Sequence, residues 1–269
     1  ADEFAGIPAD LTGPSISYTV ISNSSSTGNR SLTATITDAA GVQTGANGPR
    51  LYYKKSTDLS YIFDNAPSVA GNDYTFTLNT TTLGGVVTGT IIQYYVAAQD
   101  SNANVATSPA GGSGVNPPGT TAPVLPNSYT VTPVLSGTYT VGATGNYANL
   151  TAVANILSPS NSEITGNVIF ELQNDYDGTT GETLPISFPQ FNSSGSYTVT
   201  IRPALGVTAR VTSGDPGTGF NLGVINMAGG DSYIFDGRPG GAGSSNEWTM
   251  RNTRTAASVG DVVRLVDGA

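Results

Sequence analysis

The sequence contains no cysteine and no histidine. Without cysteine, the chain forms neither a disulfide nor a thiolate metal site. Without histidine, it has no Ser-His-Asp triad and no imidazole ligand for a metal. The catalytic options that remain are paired carboxylates, or a basic side chain beside a cation.

Charge is also scarce. Charged residues make up 11% of the chain, against roughly a quarter in ordinary soluble proteins. Ten basic residues stand against 19 acidic ones, which gives a net charge of −9. Such a field repels phosphate backbones and anionic membranes, so we expect no nucleic-acid partner. No apolar run approaches the roughly 18 residues of a membrane-spanning helix, so we expect no membrane insertion.

Glycine is abundant, with 34 residues in a chain of 269. Serine, threonine and asparagine fill surface positions that lysine and glutamate usually occupy, which is typical of extracellular β proteins. Many bacterial surface proteins lack disulfides, whereas small animal secreted domains usually depend on them. The composition therefore predicts a secreted or cell-surface bacterial protein, and the length predicts two domains.

The pattern of short alternating segments and turns predicts an all-β protein. We divide it into an N-terminal extension (1–12), a sandwich domain (13–118), a Pro/Gly-rich linker (119–134) and a solenoid domain (135–269). The linker follows the strongest change of composition in the chain, where segment 116–123 reads NPPGTTAP. Such a segment favours an extended spacer.

The first domain contains about seven short strands with turns every 8–12 residues, which indicates an immunoglobulin-like sandwich. Its longest apolar run lies in segment 89–100, GTIIQYYVAAQD, and a turn with Asn102 and Asn104 follows it. This passage resembles the penultimate strand and final turn of bacterial immunoglobulin-like and fibronectin type III-like modules. The resemblance implies a spacer or an adhesion unit.

Asp100, Asn102 and Asn104 alternate within that turn, and their oxygens could converge on Ca²⁺. Asp38, in an earlier turn, could add a carboxylate from the same end of the sandwich. Aspartate and asparagine also cap turns by binding their own backbone, which is the alternative interpretation. Neither interpretation requires a cofactor.

The second domain opens with a predicted helix near 149–157. Asn149 suits the N-cap, and an apolar stripe at i, i+3, i+4 and i+7 follows it; the stripe consists of Leu150, Val153, Ala154 and Leu157. We expect this helix to cap the open end of a solenoid core.

Strand-like segments follow the helix, and two of them, 231–237 and 262–268, end in Asp-Gly. Val168, Thr198, Tyr233 and Val262 recur at intervals near 30–35 residues, which indicates coils that stack on one another. We expect the solenoid to continue past Ala269, so that this chain is part of a longer protein.

Segments 137–142 (GTYTVG), 147–157 (YANLTAVANIL) and 166–170 (GNVIF) resemble the start of right-handed parallel β-helix domains of the pectin-lyase-like kind. Segment 233–237 (YIFDG) resembles their recurrent Asp-Gly coil. The resemblance is strongest to large surface proteins of Bacteroidetes-type bacteria, which implies export by a type IX secretion system. It also implies a possible enzyme, because β-helix hydrolases use clustered aspartates and lyases use a basic residue beside Ca²⁺.

Asp175 and Asp177 form the best acidic cluster of the solenoid, with Glu171 and Glu182 nearby. The same segment is also an ideal turn sequence, and we favour the turn. We therefore assign no catalytic and no cofactor-binding residue.

Together these features predict non-catalytic adhesion or surface display, by a fragment of a larger secreted or cell-surface protein. Its partners would be a cell-surface glycan or protein ligand and the secretion machinery. A carbohydrate-active β-helix enzyme, lyase or hydrolase, with active coils beyond this chain is the first alternative. A passenger fragment of a type IX substrate is the second. Tyrosine and tryptophan side chains could stack on sugars, but their spacing singles out no platform.

Overall fold

The computed structural model describes residues 10–65, 67–217, 222–255 and 261–266. The chain divides into two compact units, Ala1–Val131 and Thr132–Ala269. Strands dominate both units, and the described ranges contain one α-helix, so the predicted all-β class is confirmed. No helix in those ranges has the length and apolar character to cross a membrane.

The first unit consists of short antiparallel strands. They are β1 (Ser15–Ser17), β2 (Arg30–Thr37), β3 (Arg50–Lys55), β4 (Ile62–Asp64), β5 (Ser68–Ala70), β6 (Asp73–Leu78), β7 (Ile91–Gln99), β8 (Val105–Ser108) and β9 (Asn127–Thr130). One sheet has the order β1-β2-β6-β5. The other has the order β4-β3-β7-β8, and β9 pairs with the first half of β7.

The two sheets share one apolar core. Along β2 every second side chain is buried and the threonines between them face solvent, as period-2 alternation requires of a strand with one covered face. The buried cluster draws on both sheets, with Leu32, Ala34, Ile36, Tyr74, Phe76 and Leu78 from one and Leu51, Tyr53, Ile92, Tyr94, Val96 and Ala98 from the other. The boundary between the units, at Val131 and Thr132, falls inside the segment predicted as a linker, and β9 in that segment is paired strand.

The second unit is a parallel β-solenoid of about four turns, which confirms the predicted parallel β-helix. Its strands are β10 (Val134–Val141), β11 (Glu163–Leu172), β12 (Ile186–Pro189), β13 (Val199–Pro203), β14 (Arg210–Gly214), β15 (Gly223–Ala228), β16 (Tyr233–Phe235), β17 (Trp248–Asn252) and β18 (Asp261–Val266). They form three parallel stacks, β10-β11-β13-β16, β14-β17 and β12-β15-β18. A complete coil therefore passes through three strands.

The observed register confirms the predicted interval of 30–35 residues and corrects two of the four predicted positions. Val168, Val199 and Tyr233 lie side by side, so one coil takes 31 residues and the next takes 34. Thr198 precedes the aligned position by one residue, and Val262 belongs to β18 in a different stack. The prediction was wrong for Val262 because three similar strands recur in every coil. Strand-like segments from different stacks can therefore be separated by about the length of one coil. Residues 267–269, where a final Asp-Gly turn was predicted, lie outside the described residues.

The predicted helix is present as α1 (Leu150–Ile156). The side chain of Asn149 accepts a hydrogen bond from the backbone N–H of Ala152, so the predicted N-cap is confirmed. All four residues of the apolar stripe are buried. The helix packs against β12, and so occupies in the first coil the place that β12 takes in the second.

A chain of polar side chains runs through the solenoid interior from coil to coil. The indole Nε1–H of Trp248 donates to the hydroxyl of Thr212 (3.0 Å), which lies 2.8 Å from the hydroxyl of Tyr176. Tyr176 in turn donates to Glu182 (3.0 Å). An indole only donates and each hydroxyl has one proton, so Thr212 donates to Tyr176 and every bond points toward the carboxylate. Burial, together with the charge of Glu182, raises the pKa of Tyr176 well above its ordinary value.

This series of hydrogen bonds ends at the N-terminus of α1. The carboxylate of Glu182 accepts the backbone N–H groups of Leu150 and Thr151, both at 2.7 Å. These are two of the N–H groups that a helix N-terminus leaves without an intrahelical partner, and a negative group there also complements the helix dipole. Glu182 thus joins the helix to the next coil, together with the bond from the Asn149 side-chain amide to the carbonyl of Gly181 (2.6 Å).

Candidate functional site

Three carboxylates converge at one end of the first unit. Oxygen atoms of Asp10, Asp38 and Asp100 all lie within 4.8 Å of one another. Asp100 is fully buried, whereas Asp10 and Asp38 are half-buried. We refer to these three residues as the aspartate cluster.

Asp100 is positioned by the turn that follows β7. Its Oδ1 accepts the backbone N–H groups of Asn102 and Asn104, both at 2.8 Å, and its Oδ2 accepts the side-chain amide of Asn104 at 2.7 Å. A buried carboxylate requires such donors, because desolvation without them is costly. Asp100 also forms an isolated bridge with Val42, which brings the turn after β2 alongside.

Asp38 and Asp10 are each held through one oxygen. Asp38 Oδ1 accepts the backbone N–H of Ala40 at 2.7 Å. Asp10 Oδ1 accepts both the backbone N–H (3.0 Å) and the hydroxyl (2.7 Å) of Thr12, and these bonds lower the pKa of Asp10. Within the described ranges the Oδ2 atoms of both residues carry no hydrogen bond, and no lysine or arginine pairs with the aspartate cluster. Negative charge is therefore concentrated there without a protein cation.

This arrangement suits a hard cation. Ca²⁺ is bound by six to eight oxygens, mainly carboxylates and backbone carbonyls, in flexible geometry. Each member of the aspartate cluster offers a carboxylate, and two of them hold a free oxygen. A bound divalent cation would also offset the repulsion among three like charges at short range.

The structure brings together part of the predicted Ca²⁺ set. Asp38 and Asp100 meet as expected, but Asn102 is exposed and contributes its backbone N–H. Asn104 uses its side-chain amide as a donor, to Asp100 and to the backbone carbonyl of Asp10 (2.9 Å). These two asparagines instead stabilise the turn through hydrogen bonds, in agreement with the alternative interpretation of the sequence. Asp10 was missed, since it lies in the predicted extension and reaches the site only through tertiary contact.

The acidic pair of the solenoid is divided between two turns. Asp175 accepts the backbone N–H (2.8 Å) and hydroxyl (2.7 Å) of Thr144. Asp177 accepts the backbone N–H groups of Thr179 (2.9 Å) and Thr180 (3.1 Å) and binds both hydroxyls. These bonds hold the pKa of each carboxyl below its ordinary value. Each carboxyl group is therefore engaged by its own set of donors.

The two glutamates near that pair also serve the fold. Glu171 on β11 forms an ion pair with Arg202 on β13 at 2.8 Å, between adjacent coils. Glu182 caps α1, as described above. The four acidic residues that sequence reasoning grouped together therefore act separately, each at its own turn, helix end or coil-to-coil contact.

No protein-family model matches the chain, and no curated protein matches it either.

Proposed function

We propose that this chain is a non-catalytic adhesion or surface-display module, part of a larger secreted or cell-surface bacterial protein. In this proposal the first unit is an immunoglobulin-like sandwich and the second is the beginning of a right-handed β-helix capped by α1. The sequence resemblances support both assignments. The parent protein would be exported by a type IX system.

One observation supports a non-catalytic role for the residues of this chain. The carboxylates that are candidates for polysaccharide hydrolysis in the solenoid, Asp175 and Asp177, bind Thr144, Thr179 and Thr180 in turns. A hydrolase needs two carboxyl groups that face one bond of the substrate, at separations of about 5–10 Å across an open cleft. Carboxyl groups engaged by N–H and hydroxyl donors stay ionised and fixed, which suits a scaffold.

Ca²⁺ would stabilise the first unit in this proposal. The aspartate cluster joins the chain at Asp10 to the turns at Asp38 and Asp100, so a bound ion would fasten three separate segments together. Extracellular fluids contain Ca²⁺ at concentrations that suit weak, surface-module sites. The ion would be structural, with no part in a reaction.

A glycan array with a parallel turnover assay tests the proposal. The full chain is applied to the array in 1 mM Ca²⁺, and the glycans that retain it are then incubated with the chain and analysed by mass spectrometry. We expect specific retention and intact glycans. Shortened or unsaturated products would favour the β-helix enzyme, and an array without any retained chain, together with no binding to cell-surface proteins, would contradict adhesion.

A further inference from the structure

A cleft lined by aromatic side chains opens on the outer face of the second sheet of the first unit. Arg50 and Tyr52 on β3 alternate outward, opposite Leu51 and Tyr53 in the core. Tyr95 on β7 lies directly across from Tyr52. The cleft has a volume of about 400 Å³, within the range of small-ligand sites (roughly 300–1,000 Å³).

One wall of the cleft is a short segment tied down onto the sheet. The hydroxyls of Tyr52 and Tyr95 donate to the backbone carbonyls of Pro118 and Gly119, both at 2.8 Å. Gly119 has φ +73°, and a Cβ there would lie 2.2 Å from the Cβ of Ala97, so only glycine permits this approach. The wall is thus part of the folded unit.

The floor and the opposite wall are aromatic. Tyr52 and Tyr95 are buried and stacked, with ring centroids 4.9 Å apart and planes 9° apart. Tyr61 meets Tyr95 edge-on at 5.0 Å, and Phe63 lies 5.6 Å from Tyr52. Phe63 is 47% exposed. A ligand therefore meets ring surface that is held in place by a rigid backing.

Arg50 supplies charge inside this apolar setting. Its side chain is 7% exposed, and its guanidinium lies over the Phe63 ring, 4.4 Å from the centroid. Nη2 donates to the carbonyl of Ala46 (2.8 Å), but the buried Nε has no hydrogen-bond partner. Within the described residues no carboxylate pairs with Arg50, and none lines the cleft. A buried cation without a counter-charge is costly, and an anionic ligand would relieve that cost.

We propose that this cleft binds a saccharide that carries a carboxylate, such as a uronic-acid residue of an acidic glycan. The carboxylate would pair with Arg50, because guanidinium geometry matches a carboxylate. The C–H face of the sugar ring would lie against Phe63 and Tyr61. This inference deepens the proposed adhesive function and rests on it. A proline-rich peptide would also find aromatic surface, but it gives no use for a buried unpaired cation.

Calorimetric titration of the full chain with tetragalacturonate tests the inference. The matched probe is its fully methyl-esterified form, which keeps the rings and removes the charge. We expect the acid to bind and the ester to bind at least about tenfold more weakly, because the ester cannot form the charge-assisted hydrogen bonds of a carboxylate with Arg50. A proline decamer serves as the peptide probe and should not bind.

Two variants locate the binding in the cleft. Arg50→Gln should weaken binding of the acid about tenfold or more, and Phe63→Ala, at an exposed position, about fivefold to tenfold. Arg251→Gln and Val69→Ala, both exposed and outside the cleft, should leave it unchanged. Far-ultraviolet circular dichroism checks that each variant is folded. Because Phe63 lies at the surface, its variant tests the site even if Arg50→Gln fails to fold.

Three results would overturn the inference. They are equal binding of acid and ester, binding of the acid unaffected by Phe63→Ala, and binding of the proline decamer alone. If none of the probes binds while the chain still adheres to other glycans or cells, this cleft is the wrong site and the adhesive function stands. If the chain adheres to nothing, the proposed function fails with it.

Discussion

The hydrogen-bond chain through the solenoid predicts a large effect from one isosteric change, Thr212→Val. The substitution keeps the shape of the buried side chain and removes its oxygen. Tyr176 still donates to Glu182, but the indole N–H of Trp248 loses its acceptor in a position where Trp248 is 6% exposed. Leaving one buried donor unsatisfied costs about 1–3 kcal/mol. The added methyl group returns less than about 1 kcal/mol.

The expected net loss is therefore about 1–2 kcal/mol in the free energy of unfolding of the solenoid. Urea unfolding followed by tryptophan fluorescence measures it, because Trp248 is the single tryptophan of the chain and reports on this unit alone. The midpoint should fall with an unchanged slope. Thr249→Val is the matched control, since Thr249 is exposed on the neighbouring strand of the same stack, and it should change stability by less than about 0.5 kcal/mol.

A double-mutant cycle sharpens the test. Tyr176→Phe alone removes a donor to Glu182 and a partner of Thr212, so the two changes share one contact and their effects should fall short of additive by about 0.5 kcal/mol or more. A Thr212→Val variant no more destabilised than Thr249→Val would show that the Thr212 hydroxyl does not stabilise the solenoid. Effects of the two interior substitutions that add without coupling would contradict the contact between Tyr176 and Thr212.

Three further predictions concern the cation, the helix and pH. Ca²⁺ at a hundredfold excess over its Kd should raise the free energy of unfolding of the first unit by about 2.7 kcal/mol. Calorimetry should show no such stabilisation of Asp38→Asn and the full stabilisation of Asp231→Asn. Stabilisation of both variants would exclude the aspartate cluster as the Ca²⁺ site. Asn149→Ala should cost the solenoid about 1 kcal/mol through loss of the N-cap. Asn155→Ala is the control on the exposed side of the same helix, where the side chain accepts one long, exposed hydrogen bond from Asn161 (3.3 Å), and it should cost less than about 0.5 kcal/mol. Equal costs in urea unfolding would contradict the capping role. Burial raises the pKa of Tyr94 from 10.0 to about 12, so the folded state holds this proton more tightly than the unfolded state. The stabilisation should be full below pH 10 and decline from pH 10 toward 12. Melting temperatures from circular dichroism that stay constant across that range would refute this prediction.

Local signals explain what could be predicted from the sequence. The helix was found because its cap and its stripe lie within nine consecutive residues, where Asn149 and the i, i+3, i+4 spacing are sufficient. The strands were found through alternation. The recurrence of such segments indicated stacked coils, and the resemblance of segments 137–142, 147–157 and 166–170 implied that these coils form a parallel β-helix.

Features that depend on tertiary contact could not be predicted in the same way. Asp10 and Asp100 are ninety positions apart, so no spacing rule joins them. Tyr52 and Tyr53 are adjacent, as are Tyr94 and Tyr95, and alternation cannot say which tyrosine of each pair faces outward. The register of Val262 was wrong because three stacks with similar strands recur within one coil. In each case the missing fact is which face of a strand meets which other strand.

The most direct test of the account is retention of beads under flow. Beads that carry the full chain are passed over a surface coated with an acidic polysaccharide, in Ca²⁺, and the number retained is followed over hours. Adhesion without catalysis predicts retention well above that of albumin-coated beads, steady in time, with no sugar released. Retention that decays as short saccharides appear in the flow would contradict adhesion without catalysis. Retention equal to the albumin control, on this surface and on a second surface coated with whole bacterial cells, would contradict adhesion itself.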